Sequence, residues 1–106
     1  MHYLLYYEVV GDYADRRLPL RSAHLKHAEQ SIARGELLLG GAYANPVDGA
    51  VLLFSGPSAQ VAGSFAASDP YVTNGLVTKW YVREWTTVVG PMAANPINNS
   101  SSAPGR

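Results

Sequence analysis

The stretch HYLLYYEVV, residues 2–10, decides the fold. It is rich in aromatic and β-branched residues and is followed by Gly11-Asp12, the composition and the stop signal of a β-strand. Successive side chains of a strand point to opposite faces. One face carries His2, Leu4, Tyr6 and Glu8; the other carries Tyr3, Leu5, Tyr7 and Val9. Neither face is polar. A sheet covered on one side only should alternate apolar with polar residues. The run Ala50-Val51-Leu52-Leu53-Phe54 breaks that rule in the same way. Both faces of this sheet are therefore expected to be covered.

Residues 13–34 carry a helical pattern, with Asp12 or Asp15 placed to cap its start and Gly35 following Arg34 as a stop. Pro19 lacks the amide proton that a helix interior needs. The main helix is thus expected to begin near Leu18, with residues 12–17 a loop or a short separate turn. Glu36-Leu37-Leu38-Leu39 reads as a second strand ended by Gly40-Gly41. Asn45-Pro46 and Asp48-Gly49 are turn signals before the third strand, residues 50–54. Ser58 is an N-cap for a second helix over residues 59–67, and Ser68-Asp69-Pro70-Tyr71 breaks that helix. Residues 77–89 hold the fourth strand, with its core at 78–85. The order β-α-β-β-α-β, with both helices on one face, predicts a ferredoxin-like α+β domain with a four-stranded antiparallel sheet. The domain is expected over residues 1–89. Residues 90–106 form a tail, and its PINNSSSAPGR composition predicts flexibility at the end.

Two helices cover only one face of such a sheet. The other face then presents Leu, Tyr and Phe side chains over roughly 300–600 Å², the size of patch that marks an interface. A homodimer packed through the sheet face is the expected solution; a ligand groove in a monomer is the alternative. The charged fraction of 15% is low, which leaves apolar surface for a partner.

Lys+Arg and Asp+Glu balance at 8 each among 106 residues. There is no basic stripe for nucleic acid and no polybasic segment for a membrane. The absence of cysteine excludes disulfides, thiolate catalysis and zinc-thiolate sites. The first residues read as a strand and not as a signal peptide, because Glu8 breaks their apolar run. No apolar run approaches a membrane span. A cytoplasmic location is the expectation that remains.

On a wheel of about 100° per residue, Leu18, Leu25, Ala28 and Ile32 share one stripe of the first helix. Arg21 falls inside that stripe and His24 on its edge, while His27 lies further round, towards solvent. An arginine in an apolar stripe snorkels, pairs with an anion or faces a pocket. It is either part of a structural ion pair or an anion clamp beside a histidine able to exchange protons near neutral pH. Pro70 keeps Asp69 away from helical backbone angles. Asp69 then either caps a turn or orients His24 as the second member of an acid–base pair. His2 reads as an edge or terminal residue. His2, His24 and His27 show no metal-ligand spacing, so no metal and no cofactor is expected. Trp80 and Trp85 fall on opposite faces of the last strand.

Arg21-x-x-His24-Leu25, then Gly35-Glu36-Leu37-Leu38 with Gly40-Gly41, then Gly49 opening a strand, then Asp69-Pro70-Tyr71 with Gly75, together resemble the YciI-like, or YCII-related, family. The resemblance covers about residues 1 to 89. It implies a dimeric α/β barrel of ferredoxin-like subunits. It also implies a pocket with a His–Asp pair, which falls on His24 and Asp69, and with Arg21 and Tyr71 as lining positions that bind substrate. The family and its wider superfamily include a dehydrochlorinase of a chlorinated hydroxyquinol, muconolactone isomerases and cofactor-free monooxygenases. The function implied is a small-molecule enzyme that eliminates or isomerises a small cyclic or aromatic compound by proton transfer. The alternatives are a small-ligand-binding dimer without catalysis, or a buried polar network that only fixes the dimer.

Overall fold

The computed structural model describes residues 1–97. Its first strand, β1 (His2–Val9), lies inside the sheet, with β3 (Gly49–Ser55) on one side and β4 (Val77–Trp85) on the other. β2 (Leu37–Ala42) pairs with β3 at the edge, giving the order β2-β3-β1-β4 with all pairs antiparallel. α1 (Tyr13–Arg16), a 3-10 turn (Leu18–Leu20) and α2 (Arg21–Ala33) connect β1 to β2, while α3 (Gln60–Ser68) and the single turn α4 (Pro70–Thr73) connect β3 to β4. This is the ferredoxin-like α+β fold expected from the order of elements.

Register decides which residues form the core. Tyr3 stands opposite Phe54, Leu5 opposite Leu52 and Tyr7 opposite Ala50, and all six are buried. Their side chains face the helices, where Ala62, Phe65 and Ala66 of α3 meet them. Leu4 opposite Leu53 and Tyr6 opposite Val51 look the other way and are only partly covered. Tyr6 stacks on Tyr81 of β4 at 4.9 Å. Leu39, Tyr81 and Trp85 are exposed on this outer face. A groove lined by Leu4, Tyr6, Leu39, Val51, Leu53 and Trp85 runs across it. The failed alternation in β1 and β3 thus marks a sheet with an apolar back.

The long helix is divided as Pro19 requires. α1 is a separate turn, Pro19 sits in the 3-10 segment, and α2 starts at Arg21. Gly35 ends α2 with φ of +76°, a conformation that side-chain-bearing residues avoid. Its N–H donates to Ile32 O at 2.9 Å, and that of Glu36 donates to Ser31 O at 3.0 Å, the paired bonds of a Schellman stop.

Four local expectations need correction. β2 does not stop at Gly40-Gly41 but continues to Ala42, because Gly40 and Gly41 pair with Leu52 and Val51 of β3. The glycine suits this place, since a Cβ on Gly40 would lie 3.1 Å from Leu52 Cγ. The N-cap of α3 is Ala59; Ser58 serves one residue earlier, its Oγ accepting from Gln60 N at 3.3 Å. His2 is the terminal residue of β1, but it does not lie on a sheet edge. It is buried, with Nδ1 2.7 Å from Thr87 Oγ1. His27 does not face solvent: its ring stacks on Phe65 at 4.4 Å and Nε2 donates to Phe65 O at 2.9 Å.

Beyond β4 the chain folds back on itself. Ala94 N donates to Thr87 Oγ1 at 2.8 Å, Asn95 N to Thr87 O at 3.0 Å, and Ile97 N to Val88 O at 3.0 Å. The end of the tail, expected to be flexible, lies outside the described residues.

Candidate active site

Asp69 is the centre of the site. As the residue before Pro70 it takes an extended conformation, φ −68° and ψ 125°, which ends α3. Its Oδ1 accepts from Tyr71 N at 3.0 Å and so caps α4. The same Oδ1 lies 2.8 Å from His24 Nδ1, and Oδ2 accepts from the Tyr7 hydroxyl at 2.7 Å. The carboxylate is wholly buried. Three donors converge on its two oxygens, which leaves neither oxygen buried without a partner. Asp69 therefore both caps a turn and contacts His24.

An acceptor opposite Nδ1 assigns the imidazole proton to that nitrogen and leaves the lone pair on Nε2. The His24 ring is also fixed from its face. It lies on Tyr71 with ring centroids 3.9 Å apart and planes 6° from parallel. Tyr13 of α1 meets Tyr71 edge-on at 5.7 Å, and the Arg17 guanidinium lies 5.4 Å above the Tyr13 ring. Burial raises the Tyr7 hydroxyl well above the ordinary tyrosine range, and the Asp69 charge and hydrogen bond raise it further. Burial also raises Tyr13 and Tyr71, against the lowering influence of the arginines. All three are phenols at neutral pH, so Tyr7 is a donor to Asp69.

A cleft of about 270 Å³ opens beside this cluster, between α2 and the β2–β3 end of the sheet. That is near the lower limit for small-molecule sites, roughly 300 Å³, and matches a ligand of about one ring. His24, Arg21 and Arg17 line it, with Leu25, Ile32 and Leu52 as apolar wall. The stripe that places Arg21 among leucines and isoleucine turns towards this cleft. Leu25 and Ile32 accordingly stay 46% and 55% exposed. Arg21 is exposed at the rim, and Tyr71 lines the cleft from behind the imidazole.

The fold thus brings His24, Asp69 and Tyr71 into direct contact and puts Arg21 on the same cleft. Tyr7, Tyr13 and Arg17 complete the surroundings and were not singled out by the sequence. Tyr7 lay on the correct face of β1, but periodicity does not reveal what its hydroxyl meets. Arg17 lies outside α2, across the 3-10 turn from Arg21, so the wheel of that helix did not reach it.

Among the described residues no three His, Asp or Glu side chains cluster as a metal site would need, and no helix is long and apolar enough to cross a membrane. No curated protein matches the chain. Among solved structures it is similar to 5-chloro-2-hydroxyhydroquinone dehydrochlorinase from Burkholderia phenoliruptrix AC1100, in complex with 2,5-dihydroxybenzoquinone. The TM-score is 0.68 and the identity 24%, over 82% of this chain and 95% of that one. The likeness is one of fold. The family model of the YCII-related domain matches residues 1–86, from before β1 to the end of β4. With that match running through every strand of the sheet, the chain belongs to the YCII-related domain family.

Proposed function

We propose that the protein is a small-molecule enzyme that works by proton transfer at His24. The observation that carries this reading is the 2.8 Å contact of His24 Nδ1 with the buried Asp69, beside a cleft of one-ring size. Asp69 holds the tautomer and stabilises the imidazolium that forms when Nε2 accepts a proton. A C–H next to a carbonyl is the substrate bond that suits such a base. Its electron pair moves towards the carbonyl oxygen, where the Arg21 guanidinium meets the developing charge. Expulsion of a neighbouring leaving group with its bonding pair completes an elimination. Return of the proton at another carbon completes an isomerisation. Neither outcome requires an electron acceptor. The apolar wall of the cleft favours a cyclic or aromatic body. The fold shared with a dehydrochlorinase lends support to the eliminating branch.

The test is turnover of halogenated hydroxyquinols and unsaturated lactones by the wild type and by His24→Asn. The expected loss of kcat is about 10²- to 10⁴-fold. A substrate turned over equally by both proteins would remove His24 from the mechanism. Tight binding with no turnover of any compound would instead favour the non-catalytic ligand-binding reading.

The same proposal includes a homodimer. The outer sheet face carries Leu39, Tyr81 and Trp85 exposed to solvent around an apolar groove, and a second copy of the chain is the partner we assign to it. Sedimentation of the wild type and of Leu53→Lys tests this. A dimer that the substitution converts to monomer is expected; a monomeric wild type overturns it.

A further inference from the structure

We infer that the substrate carries a permanent carboxylate, and that Arg17 is the residue that binds it. The inference rests on the catalytic reading of His24 and deepens it. Arg17 and Arg21 both line the cleft. Among the described residues neither makes a salt bridge. The acids that could neutralise them are engaged elsewhere or lie outside. Asp12 pairs with Arg16 at 3.7 Å, and Asp69 is taken up by His24, Tyr7 and Tyr71. Glu29 and Lys26 share the outer surface of α2 with Arg21, away from the enclosed part of the cleft.

The two arginines differ in how they are held. Arg21 is exposed and lies one helical turn from His24, the place for charge that appears during reaction. Arg17 is held over the Tyr13 ring, and its Nε is buried with no acceptor among the described residues. Arg17 also lines the cleft, so a ligand carboxylate would meet the part of its guanidinium that faces that space, Nε itself being closed off from it. A planar guanidinium also matches a planar carboxylate in two parallel hydrogen bonds. The charge count points the same way. Two cations balance one permanent negative charge and one that develops on the reacting oxygen. A phosphate monoester, with nearly two charges, would occupy both arginines before reaction begins.

The experiment is calorimetric titration of the intact protein with 2,5-dihydroxybenzoate, hydroquinone and phenyl phosphate. The dihydroxybenzoate is expected to bind about tenfold or more tightly than hydroquinone. Arg17→Gln is expected to erase that difference while leaving hydroquinone affinity unchanged, and Arg17→Lys to restore part of it. His24→Asn is expected to keep the difference. That arm separates the two readings, because carboxylate binding persists there even if His24 has no catalytic role. Equal affinity of the wild type for acid and phenol overturns the inference. So does a preference that survives in Arg17→Gln, or one that favours phenyl phosphate. If Arg17→Gln does not fold, Arg17→Lys alone decides: full retention of the preference counts against the guanidinium fork, and its reduction supports it.

Discussion

His24 lies flat on Tyr71, with 3.9 Å between ring centroids and 6° between planes, while the backbone N–H of the same tyrosine donates to the carboxylate that holds the imidazole. One residue thus fixes the histidine from its face and its partner from below. Tyr71→Phe retains both contacts and is expected to leave kcat within about twofold. Tyr71→Leu keeps the amide but loses the ring. An aromatic pair of this type contributes about 0.5–1.5 kcal/mol, so kcat should fall roughly 2- to 10-fold with KM little changed. Steady-state kinetics of the two variants on an accepted substrate checks this.

Tyr7→Phe removes the one donor to Asp69 Oδ2 among the described residues while leaving the ring in the core. A buried charged oxygen that loses its partner destabilises the fold by about 1–3 kcal/mol. The midpoint of urea denaturation should fall with an unchanged slope, and the fall should be smaller in Asp69→Asn/Tyr7→Phe than the sum of the single substitutions.

Alkaline pH should weaken the fold through its tyrosines. Burial raises Tyr7, Tyr13 and Tyr71 in the folded state. A raised folded value means the native state holds its proton after the unfolded chain has lost it. The stabilisation is complete below the unfolded value, about 10, and declines as pH rises above it. Each fully engaged tyrosine contributes a decline of about 1.4 kcal/mol per pH unit. Denaturation midpoints measured from pH 8 to 11 should fall only above about pH 10, and less steeply in Tyr7→Phe.

Ser31 is fully buried in α2 and its Oγ has no partner among the described residues. Ser31→Ala removes that unpaired hydroxyl and improves helix propensity. Thermal denaturation should show a gain of about 1 kcal/mol in stability, with catalysis unaffected.

The fold was legible because β1 announces itself as a central strand: no residue pair along it offers a polar face. The histidine and aspartate were legible because Arg21-x-x-His24 and Asp69-Pro70-Tyr71 are unusual placements of charge beside an apolar stripe and a helix break. The orientation of α2 was not. A wheel finds the buried side of a helix by its apolar residues, yet α2 packs inward through His24, His27 and Ser31. Its apolar stripe is turned to the cleft instead. That inversion put His27 in solvent when it is stacked on Phe65. In the proposed function those apolar residues meet the apolar body of the substrate. Gly40-Gly41 misled for a different reason: a glycine pair ends an isolated strand, but here β3 supplies the partner that carries the strand onward.

Asp69 is bound to the architecture by two oxygens and to the chemistry by one contact, and these obligations are unequal under mutation. Losing His24 removes the proton carrier of the proposed reaction and leaves the α3–α4 corner and the Tyr7 anchor standing. Losing Asp69 dismantles the corner itself. The corner built on Asp69, Pro70 and Tyr71 therefore tolerates exchange of the histidine better than exchange of the aspartate, whatever reaction the cleft serves.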